Sequence, residues 1–327
     1  MIYVLYDKPE HLEDMSFLTR DLTSPFKAIY PDVRCTSIKF MYKYCLDCVK
    51  KSTDNDIIIC WYDFMAVICW WICFFKRKKR NIVAINILLK YKPTMKNRIA
   101  RMIYKKPLKS SNFYATITAK EYGDMLNDML EIEKDYVLLH DVYHYNGNEC
   151  WDEIPDYNKT VFCGGRNGRN WKLLFEIAKK MPDVIFDCVM PREYSEIYAD
   201  EISENVNVYC DVSLDKFNDI LYKSQIIVMP LDTQAPAGLT VLFEAAAYSK
   251  PVITSDTITT REYFSDKRGI LCGDDVKDWI EAIRICLQNS DEVRQYTSNL
   301  KRYLETECSE YKYAATIKNI VNNILSH

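Results

Sequence analysis

Short apolar runs, many of them β-branched, alternate with longer amphipathic runs along the 327 residues of the chain. This alternation is typical of a parallel β-sheet whose strands are connected by helices. It occurs twice. The first half contains IYVLY, DIIICW and FYATIT with the helical run EYGDMLNDMLEI, and the second contains TVFCGG, VIFDCVM and QIIVMPL with NWKLLFEIAKKM and LDKFNDILYKS. We therefore predict an α/β protein of two doubly wound, Rossmann-like domains facing a cleft at the carboxyl ends of their strands.

Two weaker patterns complete this prediction. The apolar residues of CTSIKF, residues 35–40, predict one further strand in the first half. The stretch YNGNECWDEIPDYNKT, residues 145–160, contains turn formers without periodicity and predicts a linker. The expected domains are therefore residues 1–150 and 151–307, and an apolar stripe in residues 308–327 predicts a last helix that packs back on the first domain.

The N-terminal residues and the cysteine content indicate the cellular compartment of the protein. No basic segment precedes the first apolar residues, and Asp7 interrupts them early, which argues against a secretory signal. The thirteen cysteines are odd in number and scattered through apolar runs, so we expect reduced, buried thiols. Cys45 and Cys48 lack a second pair and a nearby histidine, which disfavours a zinc or redox site. A cytoplasmic protein is expected.

The stretch FCGGRNGRNW, residues 162–171, places three glycines and two arginines between a predicted strand and a predicted helix. It does not match G-x-G-x-x-G, because Gly164 and Gly165 are adjacent and Gly168 follows three positions later, which argues against a nicotinamide dehydrogenase. Glycine backbone followed by Arg166 and Arg169 suits a diphosphate. The alternative is a glycine turn with two solvated arginines.

A second stretch, residues 229–256, places Gly238, Leu239 and Thr240 after Pro236 at the expected start of a helix. Free backbone N–H groups and the helix dipole attract an anion at such a position. Glu244 follows six residues after Gly238, about 9 Å along the helix axis. This distance suits a carboxylate that binds ribose hydroxyls while the helix start binds phosphates.

These stretches resemble the donor domain of GT-B glycosyltransferases, in particular the family-four-like retaining enzymes of bacterial polysaccharide assembly. The residues that carry the resemblance are GGRNGRNWKLL, IIVMPL and GLTVLFEAAAYSKPVIT, and it is good over residues 160–290. It implies a hexosyltransferase-like enzyme that transfers a sugar from a nucleotide-diphosphate sugar, with UDP as the expected nucleotide, to a glycan or polyprenyl-diphosphate-linked acceptor, with neither metal nor cofactor. Nucleotide binding would then involve Arg166, Arg169, Lys172, Gly238, Leu239, Thr240 and Glu244, with catalytic roles for Arg166 and Glu244.

The chain departs from the family at two positions. Pro236 stands eight residues before Glu244, where the family has the glutamate that contacts the donor sugar, and Asn86 stands near the position of the first-domain histidine. His140 and Asp141 end the last strand before the linker, where His140 is a further catalytic candidate and a capping or hinge role is the alternative. These departures leave open a non-catalytic nucleotide-sugar-binding partner of the same fold, or a sugar-nucleotide epimerase.

The segment 76–109 contains thirteen Lys or Arg residues and no Asp or Glu. It follows FMAVICWWICFF, residues 64–75, whose twelve apolar residues are fewer than the roughly 20 that span a bilayer. Residues 64–109 are therefore expected to form either an anionic-membrane surface on the inner face of the membrane, or a helix that covers the sheet. Few aromatics interleave with the cations, so no nucleic-acid partner is expected. Asp54 and Asp56 precede their strand and are interpreted as a turn.

Overall fold

The computed structural model describes residues 1–9, 16–143 and 159–326. The chain divides into two compact units. The first unit comprises Met1–Val142 and Ser309–His327, and the second comprises Tyr143–Cys308. The predicted linker lies outside the described residues except for its last two, and so does the predicted boundary at residue 150.

The first unit contains a six-stranded sheet in the order β2-β1-β3-β4-β5-β6, with every described pair parallel. Its strands are β1 (Ile2–Leu5), β2 (Phe26–Ile29), β3 (Ile57–Cys60), β4 (Asn81–Ala84), β5 (Phe113–Ile117) and β6 (Val137–Leu138). The connecting helices are α1 (Ile38–Lys51), α2 (Asp63–Phe75), α3 (Met95–Leu108) and α4 (Lys120–Leu130), with a short 3-10 helix at Ser16–Leu18.

The strand predicted at residues 35–40 is wrong. The Ser37 side chain accepts a hydrogen bond from the backbone N–H of Phe40, so Ser37 caps α1 and Ile38 is already helical. A serine in this position satisfies an N–H group that the helix itself leaves without a partner, which favours the helix. The strand that pairs with β1 is instead Phe26–Ile29.

The second unit contains a second parallel six-stranded sheet, in the order β12-β11-β10-β7-β8-β9. Its strands are β7 (Thr160–Gly164), β8 (Ile185–Met190), β9 (Val206–Cys210), β10 (Ile226–Met229), β11 (Val252–Ser255) and β12 (Ile270–Cys272). Its helices are α5 (Trp171–Lys179), α6 (Arg192–Ile197), α7 (Leu214–Lys223), α8 (Leu239–Ala247), α9 (Ile258–Phe264), α10 (Val276–Leu287) and α11 (Asp291–Glu307), with a 3-10 turn at Ala199–Glu201.

Both faces of the second sheet are covered by helices. Successive residues of a strand point to opposite faces, so Val161 joins the core formed with α5 and α10, whereas Phe162 joins the core formed with α8 and α11. The predicted α/β class with two doubly wound sheets is confirmed.

The last helix, α12 (Glu310–Leu325), belongs to the first unit. Tyr313, Ile317 and Val321 on one of its faces are buried in the same core as Phe17 and Ile59. The four-residue spacings place these side chains on one stripe of the helix, which is the stripe that the sequence pattern predicts.

The apolar run at residues 64–75 forms most of α2, which covers the first sheet. Met65, Ala66 and Cys69 have no exposed surface, and Trp70 is 6% exposed and donates from its indole N–H to Asn112. Trp70 is therefore a core residue, while Phe74 and Phe75 at the end of the helix are exposed. Within the described residues, no helix is both long enough and apolar enough to cross a membrane.

Candidate functional site

The order of strands in the second sheet reverses between β7 and β10. From β7 the chain proceeds through β8 and β9 on one side, and from β10 it proceeds through β11 and β12 on the other. In open parallel sheets ligands bind at this reversal, outside the carboxyl ends of the two strands. The loops that follow β7 and β10 are residues 165–170 and 230–238, and each contains part of one of the two stretches that the sequence singles out.

Backbone hydrogen bonds join these two loops. Asn170 N donates to the carbonyl of Pro230 at 2.9 Å, and Asp232 N donates to the carbonyl of Gly168 at 3.0 Å. Arg169 and Leu231 form an isolated antiparallel bridge between the same segments. The two predicted halves of a diphosphate site are thus one continuous surface in the second unit.

Arg169 lies inside this junction and is only 8% exposed. Its Nε donates to the carbonyl of Gly164 at 2.8 Å, and its Nη1 donates to the carbonyl of Asn167 at 3.0 Å. Burial lowers the pKa of Arg169 from its ordinary value, although an arginine remains charged at neutral pH. The predicted cation is therefore buried within the loop and holds the loop's shape.

Two glycines allow the loops to approach Arg169. Gly165 has φ +128°, and a Cβ atom there would overlap the guanidinium of Arg169. Gly238 has φ +82°, and a Cβ there would lie 2.5 Å from Sδ of Met229 and 3.3 Å from Nη1 of Arg169. Positive φ and close packing both require glycine at these positions.

The other two predicted phosphate ligands remain accessible. Arg166 is exposed in the loop after β7, and Lys172 is exposed in the first turn of α5, whose start is capped by the Asn170 side chain accepting from Leu173 N. Among the described residues, neither Arg166 nor Lys172 forms an ion pair. Both cations are therefore available to an anion at this edge of the sheet.

Helix α8 begins at this edge with Gly238 as its N-cap. Within the described part of the chain, no side chain caps α8. Leu239 is buried, Thr240 is exposed and Glu244 is half-buried further along the same helix. The first-turn N–H groups, which have no intrahelical partner, give this helix start a partial positive charge. Pro236 lies half-buried in the preceding loop.

A cavity of about 100 Å³ adjoins Arg166 at the carboxyl ends of β7, β8 and β9. It is lined by Gly165, Arg166, Met190, Pro191, Asp211 and Phe217, among others. The sequence pattern missed Asp211 and Phe217, because Asp211 looks like an ordinary loop acid and Phe217 like part of the apolar face of α7. A larger open depression of about 670 Å³ lies in the first unit beside Asp128 and Glu131. It lies at the end of α4, away from the carboxyl edge of the sheet.

The two acids before β3 have structural partners. Asp56 accepts from the Met1 amino group at 3.0 Å and from Thr53 N at 2.6 Å, and Asp54 pairs with the buried Arg80. They belong to a turn, as the sequence indicates. In the part of the chain that the structure describes, no three His, Cys, Asp or Glu side chains are grouped as metal ligands.

The candidates in the first unit lie at the carboxyl edge of its sheet. His140 and Asp141 follow β6 and are half-buried, and Asn86 follows β4 in a left-handed conformation with φ +45°. Asn86 Nδ2 donates to Asp141 Oδ1 at 3.0 Å, so the structure brings these two positions together.

Comparison with known proteins is consistent with this geometry. Residues 191–303 match the family model described as Glycosyl transferases group 1. HepE of Anabaena, solved with UDP and glucose, is 13% identical, with a TM-score of 0.66 over 99% of each chain. Sucrose-phosphate synthase of Thermosynechococcus elongatus is 11% identical, with a TM-score of 0.73 over 100% of this chain and 99% of that one. No curated protein matches the chain in sequence.

A third solved structure, the pneumococcal O-GlcNAc transferase GtfA with UDP and GlcNAc, is 13% identical with a TM-score of 0.60. The similarity covers 88% of this chain and 60% of GtfA. At such identities the likeness establishes the architecture, and the family match over residues 191–303 establishes the kind of domain in the second unit. The chain therefore has the GT-B fold, and residues 191–303 of its second unit match a glycosyltransferase domain.

Proposed function

We propose that the chain transfers a sugar from UDP-sugar to a hydroxyl group of a glycan or lipid-linked acceptor. The observation that carries this proposal is the junction of the two loops at the strand reversal of the second unit, where Arg169 contacts both glycine turns. Retention of the anomeric configuration, independence of metal and a role in bacterial surface polysaccharide are parts of the proposal that rest on the resemblance of GGRNGRNWKLL and GLTVLFEAAAYSKPVIT to family-four-like enzymes.

The diphosphate would lie between the start of α8 and the two exposed cations. Arg166 supplies a planar guanidinium that can donate two parallel hydrogen bonds to a phosphate, and Lys172 supplies a compact ammonium. The uncapped N–H groups of Leu239 and Thr240 complete the site, because a helix start binds phosphate through its backbone. Arg169 adds a positive charge from within the loop.

The same cations and backbone N–H groups would also stabilise the leaving group during sugar transfer. When the bond between the sugar carbon and the diphosphate oxygen breaks, negative charge grows on the departing UDP. Fixed cations and N–H dipoles aimed at that oxygen stabilise the transition state more than the ground state. Arg166 is the residue best placed for this role, because it is both exposed and adjacent to the glycine backbone. The charges of Arg166, Lys172 and Arg169 would neutralise the diphosphate without a bound metal ion.

The nucleoside would bind to two parts of the second unit, Glu244 for the ribose and the cavity beside Arg166 for the base. Glu244 lies on α8 nearly two turns from its start, about 9 Å along the axis, a suitable distance for a carboxylate that accepts from ribose hydroxyls. The cavity beside Arg166, with the ring of Phe217 in its lining, would hold the base. Uracil is the proposed base, because the structures of HepE and GtfA both contain UDP.

A lipid-linked acceptor would require the enzyme to work at a membrane, and α3 offers a suitable face in the first unit. Met95, Ile99 and Met102 are 70%, 51% and 75% exposed and follow one another at helical spacing. Exposed Lys96 and Arg98 lie beside this apolar stripe. An apolar stripe flanked by cations suits the surface of an anionic bilayer.

The end of α2 continues this surface. Phe75 is 75% exposed, and Lys106 of α3 places its ammonium 3.8 Å from the ring centre of Phe74. Arg80 does not contribute, because it is 4% exposed and donates to Ser52 Oγ at 2.8 Å. The proposed membrane surface is therefore α3 with Phe74 and Phe75, rather than the buried body of α2.

Transfer is tested by incubating the full chain with a panel of UDP- and GDP-sugars and following release of sugar by proton NMR, with and without EDTA. Enzymes of this kind hydrolyse the donor slowly when water replaces the acceptor, so the anomer first released reports retention or inversion. We expect hydrolysis of one UDP-sugar, retained configuration and no effect of EDTA. Glu244→Gln should weaken donor binding, whereas Glu281→Gln, an exposed glutamate on α10, should not. Absence of sugar release from every donor would contradict the proposal.

A further inference from the structure

The cavity beside Arg166 in the second unit contains one acidic side chain. Among its described lining residues, Asp211 is the only acid and Arg166 the only base, and the others are glycine, proline or apolar. Arg166 belongs to the proposed diphosphate site, so Asp211 is the charged side chain that remains for the base. A polar group in a mostly apolar cavity fixes the orientation and the identity of the ligand.

Asp211 lies at the carboxyl edge of the second sheet. It follows directly after β9 and has a left-handed backbone, with φ +52°. Aspartate is one of the residues that tolerate this conformation. The chain turns at this residue, beside the end of β8 and close to the loop that contains Arg166.

The carboxylate of Asp211 is available to a ligand. Its one charged neighbour among the described residues is Arg192, whose Nε lies 3.7 Å from Asp211 Oδ2. This distance is too long for an N–H···O hydrogen bond. The two side chains are 68% and 50% exposed, and a pair of this kind holds its partners only weakly. Both oxygens of Asp211 can therefore accept a hydrogen bond from a bound group.

Two backbone carbonyls in the wall of the cavity already accept hydrogen bonds. The carbonyl of Val189 accepts from Gly165 N at 3.1 Å, and the carbonyl of Pro191 accepts from Tyr194 N at 3.0 Å. These bonds hold the cavity wall in place and reduce its capacity to receive an N–H group from a base. The ionised carboxylate of Asp211 is a stronger acceptor than a carbonyl.

We infer that Asp211 determines base specificity by accepting a hydrogen bond from the N3–H group of uracil. This inference rests on the proposed function. In uracil the ring nitrogen N3 carries a proton and donates, whereas in cytosine the same nitrogen carries a lone pair and accepts. A carboxylate attracts the first and repels the second. Asp211 would thus both favour uridine nucleotides and exclude cytidine nucleotides.

Uracil and cytosine provide a strict comparison. The two bases have the same ring size, and UDP and CDP share their ribose and diphosphate. A difference in affinity between UDP and CDP therefore reports hydrogen bonding at the edge of the base. A hydrogen bond to a charged group changes affinity about tenfold or more, and the half-exposed position of Asp211 places the expected effect near the lower end.

The test is calorimetric titration of the full chain with UDP, CDP and 3-methyluridine diphosphate. We expect UDP to bind about tenfold more tightly than CDP. The N3-methyl group removes the donor and should weaken binding by a similar factor. Asp211→Asn removes the charge at nearly constant size, and its NH₂ group can donate to N3 of cytosine. The ratio of UDP to CDP affinity should therefore fall about tenfold in this variant.

A matched control separates this effect from a general loss of negative charge. Asp215→Asn changes an exposed acid in the first turn of α7 and should leave the ratio unchanged. The ratio compares two ligands on one protein, so a partly unfolded sample does not alter it. If Asp211→Asn fails to fold, the three nucleotides titrated into the unmodified chain decide the question.

The outcomes distinguish this inference from the proposed function. If none of the three nucleotides binds, both are contradicted. Equal affinities for UDP and CDP, or undiminished binding of 3-methyluridine diphosphate, would overturn the base specificity alone. The same holds for an unchanged ratio in Asp211→Asn.

Discussion

Arg169, in the loop after β7, packs against Gly238 at the start of α8, so that a Cβ atom on Gly238 would lie 3.3 Å from Nη1 of the arginine. The two residues are 69 positions apart, and their contact is where the carboxyl ends of β7 and β10 come together. A positive charge, an uncapped helix start and glycine backbone therefore share one small surface.

Gly238→Ala should destabilise the second unit and weaken nucleotide binding. The new methyl would meet Met229 Sδ at 2.5 Å, and φ +82° disfavours any residue with a Cβ. We expect a loss of about 1–3 kcal/mol of unfolding free energy. Urea denaturation measures the loss. Gly273→Ala is the matched control, because a Cβ there meets nothing within 4 Å, and equal stability of the two variants would contradict the packing described for Gly238.

Arg169→Met should reduce stability as well as nucleotide affinity, whereas Arg166→Ala should reduce affinity alone. The guanidinium of Arg169 satisfies two carbonyls inside the loop junction, and losing a buried charged hydrogen bond costs about 1–3 kcal/mol. Arg166 is exposed, so its substitution should leave the packing of the loop unchanged. Thermal unfolding followed by circular dichroism distinguishes them. A melting temperature that falls equally in both variants would show that Arg166 also has a structural role.

Flotation with anionic liposomes should weaken when the exposed stripe of α3 is made polar. The double variant Ile99→Ser and Met102→Ser removes two exposed apolar side chains, and each buried CH₂ contributes about 0.8 kcal/mol to such binding. Ile197→Ser, 68% exposed in the second unit, is the control. Flotation should also fall with rising salt, because surface charges are screened. Unchanged flotation of the double variant would remove α3 from the proposal.

Stability should fall between about pH 4 and pH 7 through Asp63. This carboxyl group is buried at the start of α2 and accepts from Leu88 N at 3.0 Å and from the Tyr104 hydroxyl at 2.9 Å. Burial raises its pKa to about 6. A raised folded pKa means that the folded state binds the proton more tightly, so stability is fully present below the unfolded pKa and is lost as pH rises through the folded value.

The size of this effect is about 3 kcal/mol, because a shift of one pKa unit corresponds to about 1.4 kcal/mol. Asp63→Asn cannot titrate and should show a flatter dependence of unfolding free energy on pH over this window. Urea denaturation at several pH values gives both curves. Parallel curves for the two proteins would contradict a raised pKa of Asp63 in the folded protein.

The fold could be predicted from the sequence where apolar periodicity is strong. The four residues IIIC of β3 are all buried, and an apolar run of this length that follows turn formers predicts a strand. At residues 35–40 the prediction failed, because one hydrogen bond from Phe40 N to Ser37 starts a helix that the apolar residues alone do not indicate. Trp70 and Phe75 lie in one apolar run, and only the packing of α2 on the sheet separates the buried residue from the exposed one.

The sequence predicts which residues form the candidate site, but it does not predict how the two loops that contain them contact each other. The glycines and cations of FCGGRNGRNW indicate an anion site, but nothing in that stretch distinguishes the buried Arg169 from the exposed Arg166. The distinction arises from contacts with a loop that lies more than sixty residues later. The bond between Asn86 and Asp141, 55 residues apart, is equally invisible in the sequence.

We propose that Arg166, Arg169 and the start of α8 together bind a nucleoside diphosphate. Calorimetric titration of the full chain with UDP tests it most directly, with Arg166→Ala as the variant and Arg284→Ala, an exposed arginine on α10, as the control. We predict saturable binding that Arg166→Ala weakens about tenfold or more, as expected for a lost charge-assisted hydrogen bond, and that Arg284→Ala leaves unchanged. No binding of UDP or GDP, or equal affinity in all three proteins, would contradict it.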